Sequence, residues 1–160
     1  MLHLRSDSLA TTSAIAAGLA GLTRRGDLIV LAGDMGTGKT AFAKGFGEAL
    51  GITEPITSPT FTLVHSYPAE RVTLHHADIY RLSTHHEVAD LALSELLESG
   101  GIVLIEWGDV VAGTLGDHAL VRLDFDETDT DARDIVISAT GRAWAARWDE
   151  VERRLAVYKC

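Results

Sequence analysis

The sequence predicts one three-layer α/β domain with a mostly parallel central sheet. Residues 27–32 and 102–105 are short, almost wholly apolar runs, which is typical of strands buried on both faces of a parallel sheet. Helical and strand-like patterns alternate along the chain around these two runs, as they do in α/β folds. A chain of 160 residues is long enough for one buried core and too short for two ordinary domains.

The remaining elements follow from periodicity and from residues that begin or end helices. Apolar side chains at helical spacing predict helices, and short β-branched or aromatic runs bounded by glycine or proline predict strands. Asp7 or Ser8 can cap the first helix, and Pro68 marks a hairpin turn. In chain order, we predict a helix over residues 8–22, a strand over 27–32, a helix over 39–50, strands over 61–67 and 71–76, a helix over 85–98, a strand over 102–105, strands over 119–125 and 133–140, and a helix from 141 onward.

The last segment is amphipathic. Its apolar residues fall on one stripe of a helix: Trp144, Trp148, Val151 and Leu155. We predict that residues 1–140 form the domain proper and that residues 141–160 form a helical extension packed on the same domain. This extension is expected to cover the sheet edge, and a partner-binding helix is the alternative.

A glycine-rich turn follows the first apolar run. Residues 33–40 read GDMGTGKT, the G-x-x-x-x-G-K-[ST] pattern of a phosphate-binding loop (P-loop) placed between a strand and a helix. The glycines permit crowded backbone conformations, and the loop N–H groups together with the positive end of the helix can bind phosphate. We therefore predict a P-loop NTPase domain. The predicted nucleotide-binding residues of the loop are Met35, Gly36, Thr37, Gly38, Lys39 and Thr40.

Within this loop, two side chains have predicted chemical roles. Lys39 would reach the β- and γ-phosphates of a bound triphosphate, and the hydroxyl of Thr40 would be a Mg²⁺ ligand. Acidic residues that end two of the predicted strands complete the site. Glu106 follows the run 102–105 and Asp78 follows the strand over 71–76, and ligands of α/β folds bind at the carboxyl edge of the sheet. We predict that Glu106 holds or orients Mg²⁺. On this reasoning Asp78 either orients water or supports the metal, or belongs to a solvated strand end.

Histidines occur as two adjacent pairs, His75–His76 and His85–His86. Such pairs could suggest zinc, but no cysteine or acid at a matching spacing completes a site. We therefore predict that these are surface histidines.

Charge and cysteine content limit the partners and the compartment. The formal net charge is −9, which argues against binding of nucleic acid by the chain itself through general electrostatics. The only cysteine is Cys160, so no internal disulfide can form, and a cytoplasmic setting fits. No apolar stretch approaches the ~20 residues that span a bilayer, so no membrane interaction is expected.

Several classes of P-loop protein can be compared with these residues. A GTPase reads guanine with Asn-Lys-x-Asp, and this chain contains no asparagine. A stand-alone small-molecule kinase has a similar size, although residues 109–117 contain none of the basic side chains of an arginine-rich lid. A nucleotide-gated binding module with negligible hydrolysis is a further class. The kinase and the binding module both stay open on this reasoning.

Four motifs then occur together in one order: GDMGTGKT at 33–40, SPTFTLV at 58–64, HADIYRL at 76–82 and IEW at 105–107. Over about residues 4–140, the chain strongly resembles the TsaE (YjeE) family, the bacterial ATPases of tRNA threonylcarbamoyladenosine synthesis. The resemblance implies Mg²⁺-dependent ATP hydrolysis, slow without partners, that supports threonylcarbamoyl transfer to a tRNA adenosine. It also implies TsaD and TsaB as partner proteins, with tRNA contacted only through them.

The resemblance also implies roles for single residues. In the family, the P-loop threonine and the glutamate of the Glu-Trp pair serve Mg²⁺, and they match Thr40 and Glu106. Asp78 matches a catalytic or metal-supporting acid, and Thr60 lies in a switch-like segment that senses the γ-phosphate. Thr12 and Arg133 match family nucleotide contacts more loosely.

Overall fold

The computed structural model describes residues 1–57, 64–79, 93–106 and 116–160. The strands are β1 (Leu2–Ser6), β2 (Leu28–Ala32), β3 (Val64–Pro68), β4 (Thr73–Asp78), β5 (Ile102–Glu106), β6 (His118–Phe125) and β7 (Arg133–Thr140). The helices are α1 (Leu9–Ala20), α2 (Lys39–Ala49), α3 (Leu93–Glu98), α4 (Arg142–Ala145) and α5 (Trp148–Arg154), followed by a 3₁₀ turn at Ala156–Tyr158. Within these ranges, no helix is long and apolar enough to cross a membrane.

All of the described strands belong to one sheet, in the order β1-β7-β6-β2-β5-β4-β3. Strands β6, β2, β5 and β4 run parallel at its centre. Strand β3 pairs antiparallel with β4 at one edge. At the other edge, β7 pairs antiparallel with β6, and β1 pairs antiparallel with β7. The sheet is therefore mixed as a whole, and its parallel centre with helices on both faces confirms the predicted α/β P-loop fold class.

Strand β2 shows why the central runs are apolar throughout. Successive side chains of a strand point to opposite faces of the sheet. Ile29 and Leu31 join the larger core with helices α1 and α2, whereas Leu28 and Val30 join a smaller core with Leu93 of α3. Both faces are covered, so every residue of β2 is buried, and the three predicted layers are present.

Helices α1 and α2 pack closely on the larger core. Gly45 of α2 permits this approach, because a Cβ at that position would lie 2.7 Å from the Cα of Ser13 and 2.8 Å from its carbonyl oxygen. Helix α1 begins after Ser8, whose hydroxyl accepts a hydrogen bond from the backbone amide of Thr11 at 3.1 Å. The N-terminal ends of both helices contribute residues to one cavity.

Most of the other predicted elements are present within a few residues of their predicted bounds. Strands β3 and β4 form the predicted antiparallel hairpin, and α3 is the described part of the predicted helix over 85–98. Residues 61–63 of the predicted hairpin and residues 85–92 of that helix lie outside the described residues.

Strand β1 is absent from the predicted elements. Its side chains alternate, with Leu2, Leu4 and Ser6 buried and His3 and Arg5 exposed, which is a period-two strand signal. The strand pairs antiparallel with β7, more than a hundred residues away. Five residues at a chain end carry little local signal, and the long-range pairing decides their structure.

The tail also differs from the prediction, because it folds as α4 and α5 rather than as one helix. Between them, the amide of Arg147 donates to the carbonyl of Trp144 at 3.0 Å, a tighter turn than that of an α-helix. Trp144, Val151 and Leu155 are nevertheless buried in the larger core. The predicted apolar stripe thus packs on the domain despite the break.

Candidate functional site

The glycine-rich turn between β2 and α2 is a tightly folded loop. Gly33, Gly36 and Gly38 all have positive φ angles, of 139°, 81° and 107°, a backbone region that favours glycine. A side chain at Gly33 would also collide with the carbonyl oxygen of Leu123 in β6. The loop therefore needs glycine for its turns and, at Gly33, for its contact with the neighbouring strand.

Lys39 holds this loop from inside. Its Nζ donates to the carbonyl oxygens of Gly33 at 2.6 Å and Asp34 at 2.8 Å, and the residue is only 6% exposed. The hydroxyl of Thr37 donates to the same Asp34 carbonyl at 2.8 Å. Met35 in the same loop is 64% exposed.

Arg133, at the start of β7, also donates hydrogen bonds to the main chain of the loop. Its Nε donates to the carbonyl of Thr37 at 3.0 Å, and Nη2 donates to that of Gly36 at 3.4 Å. The guanidinium also lies over the ring of Phe125, 4.7 Å from its centroid, a cation–π arrangement. Arg133 thus links β7 to the loop through main-chain atoms.

A cavity of about 570 Å³ adjoins the loop, a volume within the usual range of small-molecule sites. Its walls are Asp7, Ser8, Leu9, Ala10, Thr12, Thr37, Gly38, Asp131 and Arg133. Thr12 is almost fully buried, and its hydroxyl is 2.7 Å from that of Ser6. The hydroxyl of Thr11 donates to Asp7 and lowers the pKa of that carboxyl. The cavity therefore has an ionised acid at one side and Arg133 at another.

Three polar side chains meet on the other side of the loop, at the carboxyl ends of β4 and β5. Leu74 and Leu104 belong to the larger core with α1 and α2. His76 and Asp78 follow Leu74 at two-residue intervals, and Glu106 follows Leu104 in the same way. All three polar residues therefore lie on the sheet face that carries α2 and its preceding loop.

His76 and Glu106 form a buried pair. The ring Nε2 of His76 is 2.6 Å from Oε2 of Glu106, and the two residues are 0% and 2% exposed. Asp78 is the direct register partner of Glu106 in the β4–β5 ladder and is half-buried. The two acids predicted from the sequence thus lie next to each other.

These residues fit a magnesium ion that is shared with phosphate groups. Hydroxyl and carboxylate oxygens are the donors that Mg²⁺ prefers, and it usually takes only one or two carboxylates together with phosphates and water. Thr40 in the first turn of α2 supplies a hydroxyl, and Glu106 and Asp78 supply carboxylates. In the described ranges, no group of three His, Cys, Asp or Glu side chains could hold a metal alone.

Comparison with known proteins identifies the family of this chain. The family model described as "Threonylcarbamoyl adenosine biosynthesis protein TsaE" matches residues 6–135. The chain belongs to the TsaE family. It is 37% identical over 142 residues to the tRNA threonylcarbamoyladenosine biosynthesis protein TsaE of Bacillus subtilis, covering 89% of this chain and 88% of that protein. The corresponding Streptomyces coelicolor protein is 38% identical over 133 residues, covering 79% and 89% of the two chains.

A solved structure gives the same result for the fold. The crystal structure of Bacillus subtilis YdiB superposes with a TM-score of 0.80 at 31% identity, covering 95% of this chain and 94% of that one. Membership of the TsaE family assigns the chain to the biosynthesis of threonylcarbamoyladenosine in tRNA. The family resemblance inferred from the four motifs is thereby confirmed.

The structure brings most of the predicted site residues of this TsaE-family chain together. The predicted loop residues lie between β2 and the start of α2, Thr12 and Arg133 line the adjoining cavity, and Asp78 and Glu106 lie at the sheet edge. Thr60 lies outside the described residues. The roles of all these residues in nucleotide and metal binding stay predictions.

The prediction of surface histidines is wrong for His75 and His76, because both are buried. They point to opposite faces of the sheet: His76 contacts Glu106, whereas Nδ1 of His75 is 2.7 Å from the hydroxyl of Ser66. Burial lowers the pKa of His75. A signal for His76 was present, since it precedes Asp78 by two residues and so shares its face of the strand. His85 and His86 lie outside the described residues.

Proposed function

We propose that this TsaE-family protein binds ATP with Mg²⁺ and hydrolyses it to support threonylcarbamoyl transfer to a tRNA adenosine by TsaD and TsaB. The observation that carries the proposal is the loop at 33–40 with Lys39 buried inside it, adjoining a cavity of nucleoside size on one side. This buried ammonium group donates to two carbonyl oxygens of the loop, and phosphate oxygens are better acceptors for it.

In this proposal, the loop and α2 bind the triphosphate. The amides at 35–40 and the N-terminal end of α2 would donate to the phosphates, as at other helix N-termini. Lys39 would exchange its bonds to the carbonyls of Gly33 and Asp34 for bonds to the β- and γ-phosphates. Arg133 would keep the loop in place from outside, and the cavity beside Thr12 would take the nucleoside.

The sheet edge would serve the reacting phosphate. Thr40 and Glu106 would hold Mg²⁺, which when bound neutralises charge on the β- and γ-phosphates. Asp78, beside Glu106, would orient the attacking water. Thr60 is assigned to sensing of the γ-phosphate by family resemblance.

We expect slow turnover of the isolated protein, and the positions of two of its arginines agree with this expectation. Arg133 is bonded to loop carbonyls, and Arg147 is paired with Asp27 at the other end of the sheet. An additional positive charge at the γ-phosphate typically raises the hydrolysis rate of P-loop enzymes by orders of magnitude and can come from a partner. We therefore expect TsaD–TsaB to stimulate hydrolysis several-fold.

The test is phosphate release from ATP, measured for the protein alone and with purified TsaD–TsaB. The matched control is Glu106→Gln, which keeps the shape of the side chain and removes its charge. It is expected to keep the melting temperature and to lose Mg²⁺-dependent turnover. The chain alone is expected to give no salt-sensitive tRNA shift, because its net charge is −9.

Different results would count against different parts of the proposal. Turnover that is indifferent to TsaD–TsaB would contradict the partner assignment. Transfer of the phosphate to a small acceptor instead of water would establish the kinase alternative. A Glu106→Gln protein with a much lower melting temperature but normal activity per folded molecule would make Glu106 a structural acid.

A further inference from the structure

We infer that His76 is the residue that positions Glu106, an inference that rests on the function proposed above for this site. His76 is fully buried, and its Nε2 lies 2.6 Å from Oε2 of Glu106. None of the roles assigned above uses His76. The inference concerns a residue that acts through Glu106 and does not itself touch substrate.

The backbone does not fix the direction of the Glu106 carboxylate, so a side chain must orient it. The β4–β5 ladder places Asp78 opposite Glu106 and places His76 opposite Leu104. The carbonyl of Glu106 accepts a hydrogen bond from the amide of Ile79 at 3.2 Å, so its main chain is fixed just where the ladder ends. His76 reaches diagonally along the sheet and fixes one carboxylate oxygen, which sets the orientation of the other.

The hydrogen-bond chemistry of the pair specifies which ring nitrogen carries the proton. An ionised carboxylate only accepts hydrogen bonds, so the Nε2 that faces Glu106 must carry an N–H. Nδ1 is buried and has no hydrogen-bond partner among the described residues. A buried N–H without an acceptor is costly, so a ring proton fits the geometry at Nε2 and does not fit it at Nδ1. His76 therefore serves as a one-sided donor to Glu106.

A donor of this kind is what a carboxylate at a metal site requires. Hydrogen bonds from a second layer of residues orient the ligands, and their loss typically lowers metal affinity or activity by about 10–100-fold. Removal of His76 should therefore weaken the use of Mg²⁺ while leaving the loop that binds the phosphates intact.

His75 provides a matched control on the same strand. It is also buried and also makes one side-chain hydrogen bond, to Ser66 at 2.7 Å, but it points to the opposite face of the sheet. If the role of His76 were only to fill space and satisfy a buried polar group, His75→Leu and His76→Leu would have the same consequences.

The experiment compares His76→Leu, His76→Gln and His75→Leu in the full chain. The Mg²⁺ concentration for half-maximal ATP hydrolysis is expected to rise about ten-fold or more in His76→Leu. His76→Gln should stay close to the wild-type value, because its amide N–H can reach the place of the imidazole Nε2. His75→Leu should also match the wild type. ATP binding measured by calorimetry in EDTA should change less than about two-fold in all three.

A second readout does not depend on activity. Ring ¹⁵N spectra should show His76 with its proton on Nε2, and Glu106→Gln should shift the His76 signals while leaving those of His75 unchanged. A proton on Nδ1 of His76, or a wild-type Mg²⁺ dependence in a folded His76→Leu protein, would overturn the inference. A wild-type protein that neither binds nor hydrolyses ATP would instead overturn the proposed function, and the two failures are therefore distinguishable.

Discussion

The two ends of the central sheet each bury one pair of oppositely ionisable side chains, and the two pairs differ in how completely they are hydrogen-bonded. At the carboxyl end, Nε2 of His76 is 2.6 Å from Oε2 of Glu106, and Nδ1 of His76 has no partner among the described residues. At the amino end, Arg147 donates two bonds to the carboxylate of Asp27, at 2.7 and 2.9 Å. A buried polar group that serves only the fold is normally satisfied, so the unsatisfied Nδ1 of His76 agrees with the function proposed for this end.

The pair at the amino end is satisfied on all sides. Arg147 also donates to the carbonyls of Leu22 at 2.8 Å and Ala143 at 3.0 Å, and its guanidinium lies 4.2 Å from the ring centroid of Trp144. Asp27 additionally accepts a bond from the amide of Arg24 at 2.6 Å. These hydrogen bonds connect helices α4 and α5 to the start of β2, and none of them involves the P-loop. The comparison therefore predicts that changes at the carboxyl end affect ATP binding or hydrolysis, whereas changes at the amino end affect stability.

The largest expected effect that tests this separation is that of Lys39→Ala at the functional end. The variant removes an ammonium group that is expected to bond the β- and γ-phosphates, and charge-assisted bonds contribute about 1.5–3 kcal/mol each. Nucleotide affinity should fall roughly ten-fold or more, and turnover should be lost. Calorimetric titration with ATP measures the affinity. Unchanged ATP binding by a folded Lys39→Ala protein would contradict the assignment of the loop.

The next effect in size is that of Arg147→Met at the other end. This change leaves the Asp27 carboxylate buried without its partner, and breaking a buried ion pair in this way typically costs about 3–5 kcal/mol. Urea unfolding should show that loss, while ATP hydrolysis per folded molecule stays at the wild-type value.

A double variant sharpens this second prediction. Asp27→Asn combined with Arg147→Met removes the unpaired charge and keeps an acceptor for the amide of Arg24. It should recover a large part of the lost free energy of unfolding, because removing both charges costs less than leaving one buried charge without its partner. A drop in ATP affinity in either variant would show that the two ends of the sheet are coupled and would contradict the prediction that the amino end affects stability alone.

The sequence predicts the functional end better than the amino end, for a physical reason. The P-loop and the apolar strand before Glu106 are local patterns, in which neighbouring residues dictate the backbone and the direction of the side chains. The Asp27–Arg147 pair joins residues 120 positions apart, and no local pattern links them. The pairing of β1 with β7 also joins distant residues, so no local pattern predicts it.

The pair at His76 falls between these two cases. Its position two residues before Asp78 is local and predicts a shared face, but its burial depends on how β4 packs between β3 and β5. The two pairs of adjacent histidines were predicted to lie on the surface, and for His75 and His76 this was wrong because β4 is covered on both faces. Burial of a polar residue is a tertiary property that alternation alone does not reveal.

The smallest expected effect concerns His75, on the face of β4 that points away from the P-loop. Its ring packs over Gly101, where a Cβ would lie 2.6 Å from Nε2, and the adjoining cavity is also lined by Arg25, Glu70 and Arg71. Burial lowers the pKa of His75 below its ordinary value of 6.5. The unfolded chain therefore binds this proton more readily, and the stability that the neutral ring contributes is present above pH 6.5 and is lost as the pH falls through the folded-state pKa.

The variant His75→Asn removes this titration and can keep the bond to the Ser66 hydroxyl, because an asparagine side chain reaches about as far as Nδ1 of histidine. Urea unfolding at pH 7.5 and at pH 5.5 should therefore show a larger loss of stability in the wild type than in the variant. ATP affinity should be the same in both proteins at either pH, because His75 lies on the opposite face from the loop. Equal losses of stability in the two proteins would show that the ring is accommodated equally well in its charged form, and a change in ATP affinity would show that the two faces of β4 are not independent.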